Sequence, residues 1–171
     1  MKTKIIWFTG LSGSGKTTLA NLLYGYLKKN KNKKIKKIDG DIFRKKSNFN
    51  SFTKKNIIKN NFKIIKYIES ITSKYNVILV SVISPILKTR KIANKKFKNY
   101  YYEIYTKCSL KKLVKRDPKG LYNLASQNKI KNLIGYNSKI NYEKSSYKIL
   151  SINTGLNSKK ECLRKILTYI M

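Results

Sequence analysis

Apolar and polar positions follow two periods along this chain, and the order in which those periods alternate implies an architecture. "KIIWFTG" at residues 4–10 is a short apolar run stopped by glycine, the pattern of a buried strand feeding a turn. From Lys16, "KTTLANLLYGYLKK" places its apolar residues at helical spacing for about four turns. A short strand is expected at 35–39. A helical stripe follows at 54–74, carried by Ile57, Ile58, Phe62, Ile64, Ile65, Ile68 and Ile71. "NVILVSVISP" at 76–85 is the strongest buried-strand signal and stops at a proline. "KTRKIANKKFKN" reads as helix and "YYYEIYTKC" at 100–108 as strand, and "SLKKLVKRD" as a short helix capped by Ser109 and ended by Pro118. "YKILSIN" gives a last strand and "SKKECLRKILTYI" an amphipathic C-terminal helix. Such alternation predicts an α/β fold with three layers, α/β/α, around a mainly parallel sheet of about five strands. The stretch between Gly120 and Tyr147 is polar, Asn-rich and weakly periodic, as expected of a lid over a site.

Composition narrows this picture. With 171 residues and 41% hydrophobic residues, the chain is long enough for one domain with a core, and a single domain spanning 1–171 is expected. No apolar run reaches the roughly 18 residues of a membrane span, and the N-terminal run is too short for a signal peptide. A soluble, cytoplasmic protein with no membrane partner is expected. Two cysteines, Cys108 and Cys162, and no histidine leave no zinc pattern, so reduced structural thiols are expected.

The formal net charge of +33 points towards polyanions, yet the basic residues are spread over every segment, and only Arg44, Arg90, Arg116 and Arg164 among them are arginine. Lysine, Asn, Ile and Tyr are abundant together and share A/T-rich codons. A chain-wide bias therefore explains the charge without a specific nucleic-acid partner, while anionic small substrates gain from it either way. The same bias makes scarce residues informative. Only three aspartates occur, Asp39, Asp41 and Asp117, each within a patterned segment.

The chemistry begins at "GLSGSGKTT". Gly10, Gly15, Lys16 and Thr17 satisfy G-x-x-x-x-G-K-[ST] between a predicted strand and a predicted helix. Gly10, Leu11, Ser12, Gly13, Ser14, Gly15, Lys16, Thr17 and Thr18 form the expected nucleotide site. Its backbone N–H groups cradle phosphates, Lys16 reaches the β- and γ-phosphates, and the Thr17 hydroxyl holds Mg²⁺, with Thr18 given no separate task. ATP or GTP, with Mg²⁺, is the cofactor expected from the loop. "VILVSVISP" ends in serines, so an acid must come from elsewhere. "IDGD" supplies Asp39 and Asp41, which in an extended conformation face one side, with Gly40 allowing a substrate to approach.

"GLSGSGKTT", "DGDIFR", "VSVISP" followed by "KTR", "RDPKGLY" and "KIKNLIG" resemble, in this order and spacing, the adenylylsulfate kinases, which phosphorylate the 3′-hydroxyl of adenosine 5′-phosphosulfate (APS). The resemblance runs from residue 3 to residue 170 and implies a P-loop kinase fold, APS as substrate, formation of 3′-phosphoadenylylsulfate in sulfate assimilation, and a homodimer. It implies Lys16, Asp41 and Ser84 as catalytic residues and Thr17 and Asp41 as the Mg²⁺ shell. Asp39, Asp41, Arg44, Phe52, Asn60, Ile83, Ser84, Lys88, Lys119 and Leu133 are implied at the substrate, with Asn61 an alternative to Asn60, and Arg116 by the ATP adenine. Ser84 occupies a position described in the family as a phosphoserine, although in-line transfer requires no phospho-enzyme. The chain departs from the family pattern at Ile57 and Leu87, where arginines are usual, and at Leu133, where a phenylalanine stacks on the APS base. Weaker APS binding is the expected consequence. Three other readings stay open: another small-molecule P-loop kinase, a nucleic-acid-binding protein with a vestigial loop, and an APS kinase with reduced activity.

Overall fold

Five strands form one sheet in the computed structural model, which describes residues 2–31, 33–46 and 53–171. In chain order they are β1 (Lys4–Thr9), β2 (Ile35–Asp39), β3 (Val77–Ser81), β4 (Tyr101–Lys107) and β5 (Leu150–Asn153). Across the sheet they run β2-β3-β1-β4-β5, and every pairing is parallel. Parallel neighbours need crossovers, and these are supplied by α1 (Lys16–Lys31), α2 (Gly40–Lys46), α3 (Lys54–Ile71), α4 (Leu87–Phe97), α5 (Leu110–Arg116) and α6 (Leu121–Ser126), while α7 (Lys159–Ile170) follows the last strand.

The central strand explains why its sequence is continuously apolar rather than alternating. Ile6 and Phe8 face α1 and α7, meeting Leu19, Leu23, Ile166 and Ile170. Ile5 and Trp7 face the opposite layer, against Ile64, Ile65 and Ile68 of α3 and Ala93 of α4. All four residues from Ile5 to Phe8 are 0% exposed. Each such side chain contributes roughly 1.5–3 kcal/mol relative to exposure, so both faces of β1 hold the two helix layers to the sheet. A third cluster, Leu113, Tyr122, Ala125 and Leu133 with Leu11 against it, packs α5, α6 and the following segment onto the first loop.

Several helix starts follow from single residues. Thr53 accepts from the Asn56 amide ahead of α3, and Ser158 and Glu161 form a reciprocal capping box ahead of α7. Ser109 holds the extended N-cap backbone of α5, but its hydroxyl makes no capping hydrogen bond, contrary to expectation. Two helices lie where no helix was expected. α2 begins at Gly40 because the Asp39 carboxylate accepts from the Asp41 amide at 2.9 Å. α6 follows Asp117, whose carboxylate accepts from the amides of Tyr122 and Asn123 at 3.2 and 2.9 Å. From 127 to 149 the chain carries neither helix nor strand, so only the beginning of the expected lid is regular. Among the described residues no helix is long and apolar enough to cross a membrane.

Candidate active site

Parallel strands put their carboxyl ends on one edge, where loops gather. The loop after β1, Asp39 at the end of β2, Val82–Ser84 after β3 and Thr154 after β5 all meet there.

The loop between Thr9 and Lys16 is held from outside by side chains. Ser14 Oγ is 2.6 Å from Thr106 Oγ1, Thr154 Oγ1 donates to the Ser14 carbonyl at 2.9 Å, and Tyr122 donates to the Ser12 carbonyl at 3.0 Å. Ser12 and Ser14 are buried. Leu11 packs into the third cluster, so these three residues build the loop while their backbone curves around the cavity. Lys16 Nζ donates to the Leu11 carbonyl at 2.7 Å. Burial, reinforced by the nearby charge of Lys119, pulls the Lys16 ammonium down to about 8, although Asp41 and Asp39 favour its charged form.

Thr17 Oγ1 donates to Asp39 Oδ2 at 3.0 Å. Asp41 is occupied differently: Arg44 lies 3.3 Å from one carboxylate oxygen, and Lys119 donates to the other. Burial alone would raise the Asp41 carboxyl, but the Lys119 hydrogen bond and charge, with Arg44 and Lys16, together hold it below its ordinary range. Thr17 and Asp41 were the expected Mg²⁺ pair, and the carboxylate bonded to the Thr17 hydroxyl is that of Asp39. A hydroxyl and a carboxylate side by side are the hard oxygen donors that Mg²⁺ takes from a protein, the rest of its shell coming from phosphate and water. Among the described residues no three His, Cys, Asp or Glu side chains gather to hold a metal. The expected extended geometry of Asp39 and Asp41 is revised. They come together through the first turn of α2, and Gly40 makes room for protein rather than substrate: a Cβ there would lie 2.5 Å from Val82 Cγ2.

Three cavities adjoin along this edge. The middle one is walled by Gly15, Lys16, Thr17, Asp39, Asp41 and Lys119, with Ser81, Val82 and Pro118. It shares Gly13, Gly15, Thr18 and Pro118 with a second cavity reaching Arg116, Thr154, Asn157, Ser158, Lys159 and Cys162. Arg116 donates to the Thr154 carbonyl at 2.7 Å and lines that cavity. On the other side it shares Asp41, Val82 and Ile83 with a third, formed by Gly40, Arg44, Asn56, Ile57, Asn60, Asn61 and Ile134. The three cavities form one continuous track, expected to take base, phosphates and acceptor in that order.

The remaining expected residues divide. Arg44, Asn60 and Ile83 line the acceptor cavity, and Lys119 stands at its border with the phosphate cradle. Asn61 also lines it, but its amide donates to the Ile57 carbonyl and its Oδ1 accepts from Ser84. The Asn60 Oδ1 is buried without a partner, so Asn60 is the asparagine with an acceptor to offer. Ser84 is 0% exposed with its hydroxyl committed to Asn61, which makes it a support of the wall rather than a presented nucleophile. Leu133 is turned away into the third cluster, and its neighbour Ile134 faces the cavity instead. Lys88 is exposed at the start of α4 and lines none of the three cavities. Phe52 lies outside the described residues.

Sequence reading missed Thr154, Asn157, Ser158, Lys159 and Cys162, which surround the Arg116 cavity. The capping signal of Ser158 three residues before Glu161 was the one pointer to that wall. It assigned no role to Arg90 either, which is fully buried and paired with Glu103 at 3.1 Å.

Known proteins share this fold and this sequence pattern. The sequence profile described as "Adenylylsulphate kinase" matches residues 2–152. A probable adenylyl-sulfate kinase of Archaeoglobus fulgidus is 34% identical over 91% of this chain and 98% of its own. A cytidine diphosphoramidate kinase of Campylobacter jejuni is 33% identical over 95% of this chain and 94% of its own. Among solved structures, the Mycobacterium tuberculosis APS kinase in complex with AMPPNP and APS superposes with a TM-score of 0.87 at 26% identity, covering 99% of this chain and 98% of that one. With the profile spanning most of its length and relatives above 30% identity nearly end to end, this chain belongs to the adenylylsulphate kinase family.

Proposed function

We propose that the protein transfers the γ-phosphoryl group of ATP to the 3′-hydroxyl of APS, giving ADP and 3′-phosphoadenylylsulfate. The observation that carries this reading is the ion-paired group Lys119–Asp41–Arg44, set where the phosphate cradle opens into the acceptor cavity. An acceptor hydroxyl entering from the Arg44 side meets Asp41 at that border, and the phosphates of a nucleotide lie on the Lys16 side.

Thr17 and Asp39 are the residues to hold Mg²⁺, which when bound neutralises phosphate charge. Lys16 and Lys119 bring positive charge to the oxygens between which the phosphoryl group moves. Asp41, held below its ordinary range, is a weak proton acceptor while Lys119 is bonded to it. Its first task is to orient the hydroxyl. When Lys119 turns to an incoming anion, Asp41 regains basicity as the acceptor arrives. A loose transition state requires little proton removal early, so this order costs no rate.

A second reading has its own observation. The acceptor cavity presents Ile57, Ile83 and Ile134, and Leu133 does not reach it, so no described aromatic side chain stacks on a base there. The Campylobacter jejuni relative is named for a cytidine acceptor, and such a nucleotide is the alternative substrate. Release of ADP from Mg-ATP, measured with APS and with cytidine diphosphoramidate in parallel, decides between them. Stimulation by APS supports the first reading, and stimulation by the cytidine compound alone replaces it.

A further inference from the structure

One buried cluster lies outside the three cavities and takes no part in the chemistry just described. Arg90, on α4, and Glu103, on β4, are 0% and 1% exposed. Every face of this pair is bonded. Glu103 accepts from Arg90 Nε at 3.1 Å, Ser145 Oγ at 2.5 Å, Tyr101 at 3.2 Å and Tyr147. Arg90 donates in addition to two backbone carbonyls, those of Ser84 and Glu143, and its guanidinium lies 4.8 Å from the centre of the Tyr142 ring.

These bonds join two segments that are distant in sequence. The Ser84 carbonyl belongs to the acceptor wall, whose hydroxyl is already tied to Asn61. Glu143 belongs to the root of the lid, and it is tied to the same wall twice more. Its amide donates to the Pro85 carbonyl at 2.9 Å, and its carboxylate accepts from the Leu87 amide at 2.6 Å, capping α4 where Ile86 has no side chain to do so. Tyr142 is also 2.7 Å from Thr9 Oγ1, at the entry to the phosphate loop.

We propose that Arg90 and Glu103 are positioning residues that clamp the C-terminal root of the lid to the Ile83–Ser84 wall, so that the acceptor cavity keeps its shape while the rest of the lid moves. The inference rests on the proposed acceptor cavity for its kinetic consequence but not for its structural one. A guanidinium suits the task because its planar fork reaches a carboxylate and two carbonyls at once, which an ammonium does not.

Arg90→Lys separates the parts. The Michaelis constant for APS is expected to rise at least tenfold while that for ATP stays within about twofold. Hydrogen exchange at the Leu87 and Glu143 amides is expected to accelerate together by tenfold or more, with the β1 amides unchanged. A role in stability alone would lower the melting temperature and leave the APS constant and the two amides as they were, and that result overturns the proposal. So does acceleration of one amide without the other. If the wild-type enzyme does not use APS, the functional reading fails and the paired exchange still decides the clamp. If Arg90→Lys does not fold, Ser145→Ala, which removes a bond to each partner, carries the same test with a two- to fivefold change expected.

Discussion

Asp39 accepts from the Thr17 hydroxyl and from the Asp41 amide, whereas Asp41 is held between Arg44 and Lys119. The two carboxylates therefore answer differently to substitution. Asp39→Ala is expected to raise the Mg²⁺ concentration needed for half-maximal rate and to cost about 1 kcal/mol of stability through the lost helix cap. Asp41→Asn is expected to lower the rate at saturating substrate by about 10²-fold or more, with the melting temperature little changed. Lys16 gives a pH dependence. Its ammonium is pulled down to about 8, and bound phosphates stabilise the charged form. ATP binding thus takes up a proton above that pH, and the dissociation constant rises towards tenfold per unit. Calorimetry at pH above 8 in buffers of different ionisation heat checks the uptake. At this scale the scarce aspartates and the loop were legible, because few residue types do that chemistry. Arg90 and Leu133 were not, because an arginine's partner across the fold and the turn of a lid residue are tertiary facts.

Elements carry the site through two close approaches. Gly40 packs against Val82, and Gly135, at φ +80°, packs against Leu11, where a Cβ would come within 2.6 Å. Gly40→Ala is expected to destabilise by about 1–3 kcal/mol through overpacking and to push α2 off β3, carrying Asp41 and Arg44 out of place. Thermal unfolding and acceptor affinity should both register it. Losing one member of the Arg90–Glu103 pair is a larger change: Glu103→Leu is expected to cost about 3–5 kcal/mol because it leaves a buried guanidinium without its counter-ion. The strands and the long helices were legible from periodicity, with β2 expected at the residues it occupies. α2 and α6 were not, since each is at most seven residues long and starts where an aspartate carboxylate accepts from first-turn amides rather than from a periodic stripe.

The whole molecule carries seven acidic residues against forty basic ones, and each acid is engaged. Asp39 and Asp41 stand at the site, Asp117 starts α6, Glu69 pairs with Lys96, Glu103 lies in the core, and Glu143 and Glu161 cap helices. Seven acids leave most of the forty basic charges unbalanced, so the field around the molecule favours anionic substrates. Initial rates at low substrate are expected to fall steeply between about 0.01 and about 1 M salt, as the screening length contracts from about 30 to about 3 Å. The α/β architecture was legible at this scale because alternating strands and helices admit few parallel arrangements. The central claim is that the cradle serves an APS hydroxyl, and ADP release from Mg-ATP with and without APS tests it most directly. The account predicts release that depends on APS and yields phosphorylated APS in equal amount, lost in Asp41→Asn. ADP release unaffected by APS would contradict it.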